Sequence, residues 1–85
     1  MNKVFSENAW QDFVEWVREE RKTARKIHEL LTDIERNGHE GLGKPEPLRH
    51  ALAGYWSRRI TQKDRLIYTF DEKNIHIAAC KGHYE

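Results

Sequence analysis

The chain has little of what would make it a disulfide-bonded, membrane or metal protein. It holds a single cysteine, Cys80, among 85 residues, so no internal disulfide can form and a reducing compartment suits it. No apolar run approaches the roughly 18 residues a membrane span needs, and the N-terminus has no signal-peptide pattern. The expectation is a soluble cytoplasmic protein with no membrane partner. Cys80-x-x-His83 is half of a zinc-site pattern, but no second ligand pair completes it, so neither metal nor cofactor is expected. Gly41-x-Gly43-Lys44 lacks P-loop spacing and does not lead from a strand into a helix. Repeats and low-complexity tracts are absent, and the only two prolines, Pro45 and Pro47, lie within one three-residue span.

What is present is charge and aromatic bulk. Charged residues reach 34%, against about 25% in an average domain. A chain this short buries only roughly 60–65% of the surface its unfolded form exposes, so its core must come from a few large side chains. Three Trp, three Tyr and three Phe meet that need, and a single domain over residues 1–85 is expected. The net charge of +1 excludes little, yet it is unevenly spread. Residues 1–43 carry seven Lys/Arg against nine Asp/Glu, and residues 44–85 carry eight against five. The basic excess therefore lies in the second half, where a phosphate-binding surface would need it.

Residues 2–5 read as a short strand, with Ser6 as a helix N-cap and Glu7 favouring the helix dipole. Trp10, Phe13, Val14 and Val17 then recur at helical spacing, predicting a helix over 7–19. Ala24, Ile27, Leu31 and Ile34, joined by Leu30, form a second helical stripe that stops at Asn37-Gly38. Residues 38–47, with three Gly and two Pro, have no periodicity and read as a loop longer than usual. Three strands follow, over 55–60, 65–70 and 75–80, and their short links imply antiparallel neighbours. Alternation places Leu66, Tyr68 and Phe70 under the helices and Arg65, Ile67 and Thr69 on the open face. The predicted fold is α+β in the order β-α-α-β-β-β, two helices packed on a twisted antiparallel sheet.

Several residues in the basic half could carry chemistry. Lys44 and Glu46 alternate with the two prolines, which should hold both on a stiff extended segment. Glu46 is thus either a positioned carboxylate or an ordinary polar loop residue, and the sequence leaves both open. Arg58 and Arg59 must point to opposite faces of their strand; if the helices cover the Trp56/Arg58/Ile60 face, Arg59 is exposed. Arg65 begins a strand after a turn. A guanidinium there or at Arg59 can grip phosphate through paired bonds, or it can simply be solvated. His83 could act as acid or base near neutral pH if the last strand carries it back beside Arg65. His28, His39, His50 and His76 show no partner spacing that points to chemistry. One carboxylate, one imidazole and one or two arginines are the groups metal-free RNA cleavage needs, although many proteins contain such a set.

The runs Gly41-Leu42-Gly43-Lys44-Pro45-Glu46-Pro47-Leu48-Arg49-His50, Tyr55-Trp56-Ser57-Arg58-Arg59-Ile60 and Arg65-Leu66-Ile67-Tyr68 resemble the YoeB/Txe toxins of the RelE/ParE superfamily. So do the ending Ile77-Ala78-Ala79-Cys80-Lys81-Gly82-His83-Tyr84 and the opening Phe5-Ser6-Glu7-x-x-Trp10-x-Asp12, so nearly the whole chain is covered. The resemblance implies a RelE-like fold and a type II toxin that cleaves mRNA in the A site of the 70S ribosome. It also implies inhibition by a YefM-like antitoxin, a homodimer, and contact with operator DNA only through the antitoxin complex. Carried onto matching positions, it makes Glu46 the general base, Arg65 the transition-state stabiliser and His83 the general acid. Tyr84 would position the substrate, and Arg59, Arg49 and Lys44 would contact RNA. Two departures stand out: Arg49 replaces the family's usual Lys with charge kept, and Glu85 adds a carboxylate where relatives often end. The competing readings are a ParE-like inhibitor of DNA gyrase and a non-catalytic RNA-binding adaptor. Neither would need an acid–base pair.

Overall fold

The computed structural model describes residues 1–83; Tyr84 and Glu85, and the expectations attached to them, lie outside the described residues. Strand β1 (Asn2–Phe5) ends at Ser6, whose extended backbone lets its hydroxyl accept from the Ala9 N–H at 3.0 Å. That cap starts helix α1 (Glu7–Glu19), with the bounds the sequence predicts. Glu20 interrupts the helical path, and helix α2 (Arg21–Asn37) begins at once, three residues before the apolar stripe. Gly38 ends it at φ 64°, its N–H bonding to the Ile34 carbonyl.

Four strands follow: β2 (Glu46–Pro47), β3 (Trp56–Arg59), β4 (Arg65–Phe70) and β5 (Asn74–Ala79). The five strands form one sheet in the order β1-β5-β4-β3-β2. Two expectations need correction. The sheet is mixed, because β1 runs parallel to β5, with Asn2 opposite Asn74 and Phe5 opposite Ile77. Parallel neighbours need a crossover, and the helical pair supplies it, returning the chain to the far side of the sheet before it winds back. The predicted loop 38–47 also ends in a strand, since Glu46 and Pro47 pair with Ser57 and Trp56. Pro47 sits there because an edge strand tolerates a missing N–H.

The core lies between the helices and one face of the sheet. Ile27, Leu30 and Ile34 of α2 meet Leu66, Tyr68, Ile75 and Ile77, and Phe13, Trp16 and Phe70 close its margins. Each large aliphatic side chain buried here contributes about 1.5–3 kcal/mol. Leu66 and Tyr68 face the helices as alternation requires. Ile67 does not fit its expected open position, being buried at 1% exposure. Ser57, Ile67 and Ala79 pair in one row across the sheet and are all buried, yet none belongs to the helix-side cluster. The second face is therefore covered over part of its width.

Among the described residues, Arg58 is the largest fully buried side chain. It lies on the helix-facing side, as the pairing of neighbouring arginines predicts, and every donor nitrogen of its guanidinium is engaged. Nε donates to the Tyr68 hydroxyl at 3.1 Å. Nη1 donates to Asp33 Oδ2 at 2.5 Å and the Leu42 carbonyl at 3.0 Å, and Nη2 donates to the carbonyls of Gly38 and Glu40. The cation is thus neutralised and hydrogen-bonded, the condition on which a buried charge is tolerated. Gly41 cannot carry a side chain here: a Cβ would lie 2.2 Å from Asp33 Oδ2, and its φ is +107°.

Candidate functional site

The segment bearing Glu46 is fixed by strand β3 on one side. The Arg59 N–H donates to the Gly43 carbonyl at 2.7 Å, and three residues later Glu46 pairs with Ser57. Between these points the chain must turn sharply, and it does so through two left-handed residues, Gly43 at φ 80° and Lys44 at φ 52°. Lys44 is therefore not extended, as a residue before proline would be expected to be. The turn between the two β3 anchors overrides the local preference. A Cβ on Gly43 would crowd the Arg59 carbonyl and the Leu30 and Arg58 side chains at 3.0–3.2 Å, so glycine suits the close approach as well as the positive φ.

Arg65 and His83 are brought together by the turn at Thr61–Asp64. The Thr61 hydroxyl accepts from the backbone N–H groups of Lys63 and Asp64, closing the turn. Asp64 Oδ1 then accepts from the Gly82 N–H at 2.8 Å, while the Arg65 N–H donates to the Gly82 carbonyl at 2.9 Å. These bonds lash the segment after β5 to the start of β4, one residue before His83. The Arg65 guanidinium is steadied through Nη1 by the carbonyls of Thr61, Gln62 and Asp64. Asp64 was not legible as a site residue; an Asp before a strand reads as turn chemistry.

These elements enclose a cleft of about 380 Å³ whose lining includes Lys44, Glu46, Arg49, Arg59, Arg65 and His83. Six of the seven residues singled out in the sequence thus share one concavity, and the seventh, Tyr84, lies outside the described residues. Among the described residues the lining carries four permanent cations and one carboxylate, a field suited to an anionic ligand. Arg59 is exposed, on the face opposite Arg58, as strand alternation requires. Ser57 and His50 also line the cleft, and sequence reasoning passed over both. Ser57 is opposite Glu46, which only the unpredicted β2–β3 pairing reveals. His50 opens a 3-10 turn (His50–Leu52) at φ 58°, a conformation rare outside glycine.

Other candidate groups are accounted for by packing. His39 stacks on Trp56 with ring centroids 3.8 Å apart, and loss of solvent together with nearby Arg58 lowers its pKa. Cys80 is buried in the helix-side core, and burial, reinforced by Asp12, pushes its thiol up to about 12. It faces away from the cleft that His83 lines, so the Cys80-x-x-His83 pair does not share a site.

Residues 5–84 match the family described as the YoeB-like toxin of bacterial type II toxin-antitoxin system. The toxin YoeB of Escherichia coli K12 is 45% identical over 84 residues, covering 99% of this chain and all of that one. Among solved structures, the YoeB dimer from Staphylococcus aureus superposes with a TM-score of 0.94 at 48% identity, covering 99% of this chain and 98% of that one. The YoeB–YefM complex from the same organism gives a TM-score of 0.93 at the same identity and coverage.

Proposed function

We propose that this chain, which belongs to the YoeB-like toxin family of bacterial type II toxin–antitoxin systems, is an endoribonuclease that cuts mRNA held in the A site of the ribosome. The observation that carries the reading is the convergence of Glu46, Arg65 and His83 on one cationic cleft. In the proposed reaction the Glu46 carboxylate takes the proton of a ribose 2′-hydroxyl. The 2′-oxygen attacks the adjacent phosphorus, and the bond to the 5′-oxygen of the next nucleotide breaks. His83, protonated, donates to that leaving oxygen. The products are a 2′,3′-cyclic phosphate and a free 5′-hydroxyl, with no metal in the scheme. Arg65 stabilises the charge that accumulates on the phosphorane, a role its fixed orientation suits because preorganised donors need no rearrangement. Lys44, Arg49 and Arg59 hold neighbouring phosphates. Tyr84 would orient the substrate.

Dependence on a ribosome fits the openness of the cleft, which by itself does not orient an RNA. Glu46, Arg49, Arg59 and His83 are all exposed. A scaffold that holds the RNA with its 2′-oxygen in line with the leaving group would supply the missing orientation, an effect worth about 7 kcal/mol or more in favourable cases. The partners proposed are therefore the 70S ribosome and its mRNA, a YefM-like antitoxin that covers the cationic face, and a second copy of the chain. Residues 1–85 act as one domain in this reading, in the cytoplasm where ribosomes are.

The test is to map mRNA 5′ ends by primer extension in a reconstituted translation reaction, with wild-type protein and His83→Ala. Cuts within A-site codons that vanish in the variant are expected. Cutting of ribosome-free RNA at an equal rate would refute the scaffold argument, and no cutting by folded, antitoxin-free protein would refute the nuclease.

A further inference from the structure

We infer that the pair formed by buried Arg58 and part-buried Asp33 is a positioning device for the catalytic loop: it sets the reach of Glu46 into the cleft, although neither residue touches substrate. This rests on the reading of Glu46 as the general base. The loop that delivers Glu46 has no periodic structure of its own between Gly38 and Lys44, and its shape is dictated from below. Alternate carbonyls, those of Gly38, Glu40 and Leu42, all turn inward to the one Arg58 guanidinium. Asp33, on α2, closes the clamp from the other side. Its Oδ2 accepts from Arg58 and from the Leu42 N–H at 2.9 Å, and its Oδ1 accepts from Asn37. The loop is thus tied to both α2 and β3.

The clamp and the cleft are continuous through β3. Arg58 grips residues 38–42, the N–H of the next residue, Arg59, holds the Gly43 carbonyl, and Ser57 pairs with Glu46. Three consecutive strand residues therefore fix the loop's body, its exit and its catalytic end. Glu46 belongs to a two-residue strand at the sheet edge, too short to set its own position. A loop released at 38–42 leaves that end held only by the Gly43–Arg59 bond, the Leu48–Tyr55 bond and the short β2 pairing, so its carboxylate gains freedom relative to Arg65. A misplacement of about an ångström is enough to cost roughly a hundredfold in rate.

The experiment is a double-mutant cycle on cleavage at saturating ribosome, read with single-turnover rates and with ribosome affinity measured separately. Asp33→Asn keeps the side chain's shape and removes the charge that fixes Arg58. In the Glu46 background we expect its rate to fall about ten- to a hundredfold, the scale of a misplaced catalytic group, with affinity unchanged. In a Glu46→Gln background, which has no base to misplace, the same substitution should change the residual rate by no more than about twofold. Equal losses in the two backgrounds, or no loss in the first, would overturn the proposal. If circular dichroism shows Asp33→Asn to be unfolded, Tyr68→Phe, which removes only the Nε partner, takes its place in the cycle with a smaller loss and the same non-additivity expected. Glu46→Gln cleaving at the wild-type rate would sink the assignment of the base itself, and the clamp's role with it.

Discussion

Replacing Arg58 by Met tests the core and the loop together. The substitution roughly keeps the volume of a fully buried side chain and deletes its charge and its five hydrogen bonds. Removing one partner of a buried pair costs about 3–5 kcal/mol, because the other is left uncompensated. The lower end applies here. The Asp33 side chain keeps 14% exposure, and the loop carbonyls can lift into water, so only the Tyr68 hydroxyl is stranded at depth. A loss of about 3 kcal/mol is a large share of the roughly 4–13 kcal/mol a chain of this length has. With a urea slope of about 1 kcal/mol/M, the unfolding midpoint should drop by about 3 M. Acid supplies a second reading. Hydrogen bonds from Arg58 first, then from the Leu42 N–H, hold the Asp33 pKa below its ordinary value. A depressed carboxylate pKa gives stability that is present above the unfolded value, about 3.9, and is lost as pH falls through the folded one. The gap between wild type and Arg58→Met should therefore narrow below about pH 4. A midpoint shift under about 1 M, or a gap that widens in acid, would refute the account of Arg58 as a charge neutralised by Asp33.

Other consequences are separable from that one. Arg65→Lys should lower ribosomal cleavage about a hundredfold with affinity little changed, since an ammonium cannot lean on three carbonyls and still present a planar fork to phosphate; single-turnover kinetics on programmed ribosomes will measure it. Arg59→Gln should weaken binding of single-stranded RNA and reduce the slope of log affinity against log salt by about 0.7, measurable by fluorescence titration. Cys80, with its thiol pushed up to about 12, should resist alkylation at pH 8 in the native protein and react readily in urea, followed by mass spectrometry.

Much of the fold was legible because its local signals agree with its tertiary needs. Ser6, the apolar stripe of α1 and Gly38 each mark a boundary that tertiary packing has no cause to move. What escaped was non-local. The parallel pairing of β1 with β5 links residues more than seventy apart, and no pattern within either strand encodes it. The β2 pairing was hidden by the prolines, which read as loop until an edge position excuses them. Lys44 shows the limit in miniature: the rule for a residue before proline predicts an extended backbone, and two hydrogen-bonded anchors on β3 force a left-handed one. The candidate residues Glu46, Arg65 and His83 could be named from the sequence because the resemblance carries them. The assembly of the site was not legible, because Asp64 and Gly82 join it through backbone groups that any sequence would offer.

Arg58 and Arg59 tie the register of β3 to both the core and the candidate site. Adjacent on β3, one is fully buried under the helix face and the other is exposed at the cleft. A slip of one residue in the β3–β4 pairing would exchange their faces, since every side chain on a strand changes side. That error would put Arg59 where Asp33 and the loop carbonyls expect Arg58, and would remove Ser57 from opposite Glu46. It would break the core charge pair and the cleft in the same step. The pairing is accordingly regular from Trp56 opposite Tyr68 to Arg59 opposite Arg65, and the sheet's irregularity lies on the other side of β4, in its pairing with β5 between Ile67 and Tyr68. The bulge takes up twist where no paired arginines depend on the register. An insertion that moved it to the β3 side should therefore abolish cleavage and folding together, whereas one within the turn between β4 and β5 should leave both intact.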